Sequence, residues 1–120
     1  PTNGTRPMPD GFILSAHFVQ TADYVQVTGT FNPAVMNLAA NDCGGEYDNH
    51  GAEGVGNPVG VGFPSGFHDF FQFLGSCDIP GSSTFGIRMC RGSNSYNYCK
   101  NTYDLMGLLF VMPSFSEFAA

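Results

Sequence analysis

The chain has 120 residues, 42% of them hydrophobic and only 12% charged, with 4 Lys and Arg against 10 Asp and Glu for a formal charge of -6. A domain of this length can bury roughly two-thirds of the surface its unfolded form exposes, so one core suffices and residues 1–120 read as a single domain. So few cations disfavour a nucleic-acid partner, whose affinity rests on Lys and Arg neutralising phosphates, and no apolar run approaches the roughly 18 residues of a membrane span.

In chain order, the opening at Pro1, without a charged n-region or apolar h-region, reads as a mature start from which a signal peptide has been removed. Asn3-Gly4-Thr5 is a glycosylation sequon, which makes Asn3 the glycan site. Phe12, Leu14, Ala16 and Phe18 recur at period two. So do Val25, Val27 and Phe31, with Gln26, Thr28 and Thr30 between them, and the spacing predicts two strands in one hairpin. Residues 32–66 then dissolve into Gly, Asn, Asp and Pro, a long loop of the kind that is functional or pinned by a crosslink.

Phe67, Phe70, Phe71 and Leu74 fall at i, i+3, i+4 and i+7, with Ser65 able to cap the start and Gly75 the end, which predicts a short amphipathic helix. Phe85 to Cys90 reads as a strand, Tyr98 to Met106 as a second short helix closed by Gly107, and Leu108 to Met112 as a buried strand stopped by Pro113. The expected fold is α+β and β-rich: a small disulfide-stabilised domain with an antiparallel sheet, two short helices and a long Gly-rich loop.

Cys43, Cys77, Cys90 and Cys99 are even in number in a Gly-rich chain, and none has another cysteine or a histidine within four residues, so they read as disulfides and not as a zinc site. Three connectivities exist. The Gly-, Ser- and Asn-rich stretch from Arg91 to Tyr98 closes easily and favours Cys90 with Cys99, which leaves Cys43 with Cys77. Disulfides and a sequon together place the protein in a secreted, extracellular setting.

The strongest polar cluster is the loop carrying Asp42, Glu46, Asp48, His50 and Glu53. Asp42, Glu46, Asp48 and Glu53 are candidate calcium ligands, because glycines between them let carboxylates and carbonyls converge on a hard cation. The spacing is not that of an EF-hand, and the ordinary alternative is a solvated acidic loop with no cofactor. His17, His50 and His68 each need a partner in reach to act as acid or base, which spacing alone does not supply. No nucleophile elbow is present, since Gly62-Phe63-Pro64-Ser65-Gly66 places the serine one position late. Twelve Phe and five Tyr exceed what a small core readily hides, so an exposed aromatic patch is expected to dock another protein, with Phe70, Phe115 and Phe118 as its candidate residues. Stacking of those rings on a sugar, as in a carbohydrate-binding module, is the alternative use.

The stretches from Tyr24 to Gly29, from Gly44 to Gly60 and from Cys99 to Gly107 resemble the macrophage activating glycoprotein-like secreted proteins of basidiomycete fungi. The resemblance covers roughly residues 24 to 113 and implies a fungal secreted glycoprotein with disulfides, without bringing a reaction. Gly86 and Leu108 stand where that family carries cysteines, and Cys43 and Cys77 lack a counterpart there, which suggests that one bridge was exchanged for another. The family continues past the position of Ala120, so a processed or short form is expected. The size and acidity are also similar to those of the small subunits that accompany certain fungal laccases. The expected function is therefore a non-catalytic accessory subunit bound to a larger secreted protein such as a multicopper oxidase, without nucleic acid or membrane as partner. The alternative is a small secreted hydrolase or toxin-like ribonuclease using His50, Asp48 and Glu53, or His68 and Asp69.

Overall fold

Period-two alternation builds β1 (Ile13–Gln20) and β2 (Tyr24–Phe31), joined by a tight turn in which the Thr21 amide donates to the Tyr24 carbonyl at 2.9 Å. The Thr21 hydroxyl accepts from the amides of Asp23 and Tyr24, both at 3.1 Å, which satisfies donors that the turn would otherwise leave open. The computed structural model describes residues 6–39, 44–50, 54, 56, 59–75, 83–100 and 112. Within the long loop it shows a 3-10 turn (Pro33–Met36), started by the Asn32 side chain accepting from the Ala34 amide, and β3 (Gly45–Asp48). β4 (Phe67–Leu74) and β5 (Thr84–Arg91) follow, then α1 (Ser95–Cys99).

All pairs of the described strands are antiparallel, in the order β1-β2-β5-β4-β3, so the last of these strands in sequence becomes the centre of the sheet. The register sorts the side chains into two faces. On one lie Gln26 and Thr28 of β2, Arg88 and Cys90 of β5, and Asp69, Phe71 and Phe73 of β4, all buried, with α1 packed over β4 and β5. Phe71 and Phe73 are 1% exposed, with ring centroids 5.0 Å apart. Met112 is buried as well. On the other face, one cross-strand row runs Phe18, Val27, Ile87, Gln72, Tyr47. Phe12, Phe31 and Phe85 close one end of this face with Val27 and Leu74 packed against them, while Phe18 toward the β1 edge stays 59% exposed.

The expected pair of helices is corrected. The stretch Phe67–Leu74 is a strand, and the fold is mostly β, with one α-helix of five residues among the described residues. A central strand buried on both faces carries apolar residues without alternation, and Phe67, Phe70, Phe71 and Leu74 happen to match the helical period as well. Across β4, Asp69, Phe71 and Phe73 face the covered side while Phe70, Gln72 and Leu74 face the other. The second helix, expected over Tyr98 to Met106, starts earlier, at Ser95, and residues 101–111 lie outside the described ones. Of the strand expected over Leu108 to Met112, only Met112 is described.

Two glycines are demanded by close approach. A Cβ on Gly29 would lie 1.9 Å from the Ser15 carbonyl oxygen, where β1 bulges between Ile13 and Ser15. Gly44 has φ +72°, and a Cβ there would lie 1.5 Å from the Leu74 carbonyl oxygen.

Candidate functional site

The site is assembled where β3 ends beside a bulge of β4. β4 shifts register against β5 between Phe67 and Asp69, and β3 stops at Asp48 opposite Phe71, which leaves the Phe70 amide and the His68 carbonyl beyond the β3 ladder. Asn49, just past β3, supplies the missing partners: its Oδ1 accepts from the Phe70 amide at 3.0 Å and its Nδ2 donates to the His68 carbonyl at 3.0 Å. The same Nδ2 is 3.0 Å from Asp69 Oδ1. Asp48 caps the next turn, accepting from the His50 amide at 2.8 Å, and this aims the His50 ring at the carboxylate of Asp69, with Nε2 2.7 Å from Oδ1.

From the other side comes α1. The Ser95 hydroxyl donates to Asp69 Oδ2, and Tyr96 sets its ring edge-on to His50 with centroids 4.7 Å apart. Asp69 thus accepts from three side chains contributed by two separate segments. Burial pushes its carboxyl up, but the hydrogen bonds from Ser95, Asn49 and His50, with the charge of His50, outweigh burial and hold it below the usual carboxylate value. With Nε2 facing a carboxylate, Nε2 is the ring nitrogen that donates.

A second anchor lies farther along β5. Cys90 and Cys99 form a disulfide with Cα atoms 6.1 Å apart, the pair that the short connection favours. Beside it the buried Arg88 donates through Nε to Gln26 Oε1 at 2.9 Å and through Nη1 to the Tyr98 carbonyl at 3.0 Å, with its guanidinium 4.3 Å from the Tyr24 ring centroid. Burial pulls this guanidinium down from its ordinary value, while Tyr24 and Tyr98 pull the other way. Disulfide, arginine and Asp69 together fasten α1 to the sheet.

Chemically, the arrangement differs from a nucleophilic triad. The hydroxyl of Ser95 goes to the carboxylate and not to the imidazole, so His50 is not placed to take its proton. Each half of the expected acid-base sets is also rearranged: His50 pairs with Asp69, and its link to Asp48 is through the backbone amide. His68 is exposed and offers its carbonyl. His17 lies on the β1 edge strand, on the same face as Thr28.

Of the candidate calcium ligands, Asp48 is buried and committed to the His50 amide, and Glu46 stands on β3 opposite Phe73. Asp42 and Glu53 lie outside the described residues, and no group of three or more metal-binding side chains occurs among those described. Phe70, expected as a docking residue, is 5% exposed and packs against Phe63, with centroids 6.0 Å apart. Asn3, Cys43, Cys77, Phe115 and Phe118 also lie outside the described residues. Sequence reasoning missed Asn49, Ser95, Tyr96 and Arg88, because only the pairing of β3 with β4 and the seating of α1 bring them together.

The chain is 37% identical over 117 residues to "Appressorium protein ROW1" of Mycosarcoma maydis, a match covering 93% of the chain and 28% of that protein. It is 40% identical over 114 residues to "Appressorium protein ROW2" of the same organism, covering 92% of the chain and 39% of that protein. The chain therefore spans about a third of the length of the curated relatives it matches. No family model matches the chain, and no solved structure matches it. Neither of these two relatives bears the macrophage activating glycoprotein name that the motifs suggested or the laccase-subunit name that size and acidity suggested, and the laccase link has no support from them. Among the described residues no helix is long and apolar enough to cross a membrane. At the coarser level the motifs and the matches agree: the chain's relatives are fungal proteins, from a basidiomycete.

Proposed function

We propose that this chain is a secreted, non-catalytic fungal binding module that acts at the appressorium by docking a larger secreted protein on the open face of its sheet. The observation that carries the reading is the asymmetry of the two faces. One carries α1, the disulfide and the Asp69 cluster over β4 and β5, whereas the other presents apolar side chains to solvent around Phe18 and Leu14, which are 59% and 63% exposed. Likeness to two appressorium proteins over more than nine-tenths of the chain supports the setting. The polar cluster fits a structural role, since Ser95, Asn49 and His50 direct their hydrogen bonds to one carboxylate that ties three segments together.

A glycan on Asn3, carried by the Asn3-Gly4-Thr5 sequon, and a multicopper oxidase of the laccase type as partner, carried by the similarity in size and acidity to laccase small subunits, are the finer forms of this proposal. Size-exclusion of the protein as first extracted from its source is the test. The expected result is elution with a larger protein, abolished by the double change Leu14→Ser and Phe18→Ser while the circular dichroism of the isolated chain is unaltered. Elution of the native protein as a lone species would overturn the docking reading, and a partner without copper would remove the oxidase.

A second reading is favoured by one distance, the 2.7 Å between His50 Nε2 and Asp69 Oδ1, which is how a carboxylate orients an imidazole acting as a general base. Hydrolysis of a phosphodiester or glycan substrate lost in His50→Ala would support it.

A further inference from the structure

We propose that the β1 edge of the sheet is a self-association site, where two copies of the chain pair β1 with β1 in antiparallel fashion to make one continuous sheet. This goes beyond the docking reading, which concerns the face of the sheet and not its edge.

The two edges are treated differently. β3 is four residues long and carries Glu46 and Asp48, and a short charged edge is a poor template for another strand. β1 is eight residues long, Ile-Leu-Ser-Ala-His-Phe-Val-Gln, without Pro, Lys, Arg, Asp or Glu, and its irregularity is confined to the start, between Ile13 and Ser15. From Ser15 to Gln20 it is regular. Among the described residues no strand pairs with its outer side.

The direction of the main-chain groups along this edge follows from the turn. Because the Thr21 amide bonds to Tyr24, alternation turns the main chain of Val19 and His17 toward β2 and that of Gln20, Phe18 and Ala16 outward. Along the regular part of the strand these three outward residues are exposed, as Ile13 and Leu14 are at its start, while Ser15, His17 and Val19 are partly buried. A second strand laid along this edge would thus find both the hydrogen-bonding row and the accessible side chains.

A second copy fits this edge by charge and by shape. In a chain of net charge -6, association through most surfaces brings carboxylates together, but β1 contributes none. When a two-fold axis passes beside His17, Phe18 of each copy stands opposite Ala16 of the other, a large ring over a small side chain, in pairs that exchange main-chain hydrogen bonds. At about 3.4 Å per residue the eight-residue edge is roughly 27 Å long, giving a footprint on the order of 400 Å² per copy, below that of a standard stable interface. Association is therefore weak and reversible, visible only at high protein concentration.

Sedimentation velocity across a concentration series, with hydrogen exchange read residue by residue, tests this. The expected result is a monomer when dilute and a dimer when concentrated, with the amides of Ala16, Phe18 and Gln20 slowed only in the concentrated sample. Ala16→Pro removes an outward donor from each copy without breaking a β1–β2 hydrogen bond, and should weaken association about tenfold. It leaves Leu14 and Phe18 in place, so loss of dimer with retained partner docking separates this proposal from the previous one. A chain that stays monomeric throughout overturns it, as does a dimer whose three amides exchange at the dilute rate. Should Ala16→Pro fail to fold, exchange in the unaltered chain still decides.

Discussion

Asp69 and His50, 19 residues apart in sequence, meet at 2.7 Å because β3 and β4 pair antiparallel and the Asp48 turn points the imidazole back across them. Asp69 also holds Ser95 of α1, so this one carboxylate joins the strand bulge, the turn after β3 and the helix.

Its ionisation should be felt as stability. The folded carboxyl lies below its ordinary value, so the stabilisation is complete above about pH 4 and is lost as pH falls through the folded value. Asp69→Asn should cost about 2 kcal/mol at neutral pH, as expected for removing charge-assisted hydrogen bonds, and should flatten the acid limb. Urea melts of both proteins between neutral and strongly acidic pH check this; parallel acid limbs would assign the pH dependence to another group.

Breaking the Cys90–Cys99 bridge by changing both residues to Ala should destabilise the chain by about 3 kcal/mol on the chain-entropy view, given their separation of 9 residues. The loss should concentrate in α1, which the bridge pins over β5. Hydrogen exchange at the Tyr98 amide, bonded to the Asn94 carbonyl at 3.3 Å, should rise more than exchange within β2.

Thr28 is fully buried in β2, and its hydroxyl has no hydrogen-bond partner among the described residues. An unsatisfied buried hydroxyl is a standing cost, so Thr28→Val, of nearly the same shape, should stabilise the fold by about 1 kcal/mol. A rise in melting temperature confirms it; a fall would mean that the hydroxyl is satisfied.

Gly29→Ala should act in the opposite direction. Its Cβ would meet the Ser15 carbonyl oxygen at 1.9 Å and the Phe85 ring at 2.9 Å, so β1 or the ring must move, at a cost of about 2 kcal/mol or more. Denaturant midpoints measure the loss.

Calcium should leave the melting curve unchanged, because Asp48 already caps the His50 amide and a ligand that binds the folded chain raises its stability by mass action. A rise with calcium that a chelator reverses would restore the acidic loop as a metal site.

Three strands were legible by themselves. β1 and β2 alternate at period two around a Thr-Ala-Asp-Tyr turn, and β5 reads as a β-rich run ending at a cysteine, since local backbone preference and one-sided burial leave their mark on neighbouring residues. The closeness of Cys90 to Cys99 likewise needed only a short polar connection. What tertiary structure decided was everything that depends on two faces or two segments. β4 lost its alternation because both of its sides are buried, so Phe67 to Leu74 imitated a helix until β5 and β3 flanked it. Phe70, apolar like the exposed Phe18, was hidden by Phe63 and the sheet, and no local pattern separates the two rings. The Asn49, His50, Asp69 and Ser95 cluster exists only because a bulge, a turn and a helix converge, and convergence is a property of strand order and register, which residue spacing along one chain does not encode.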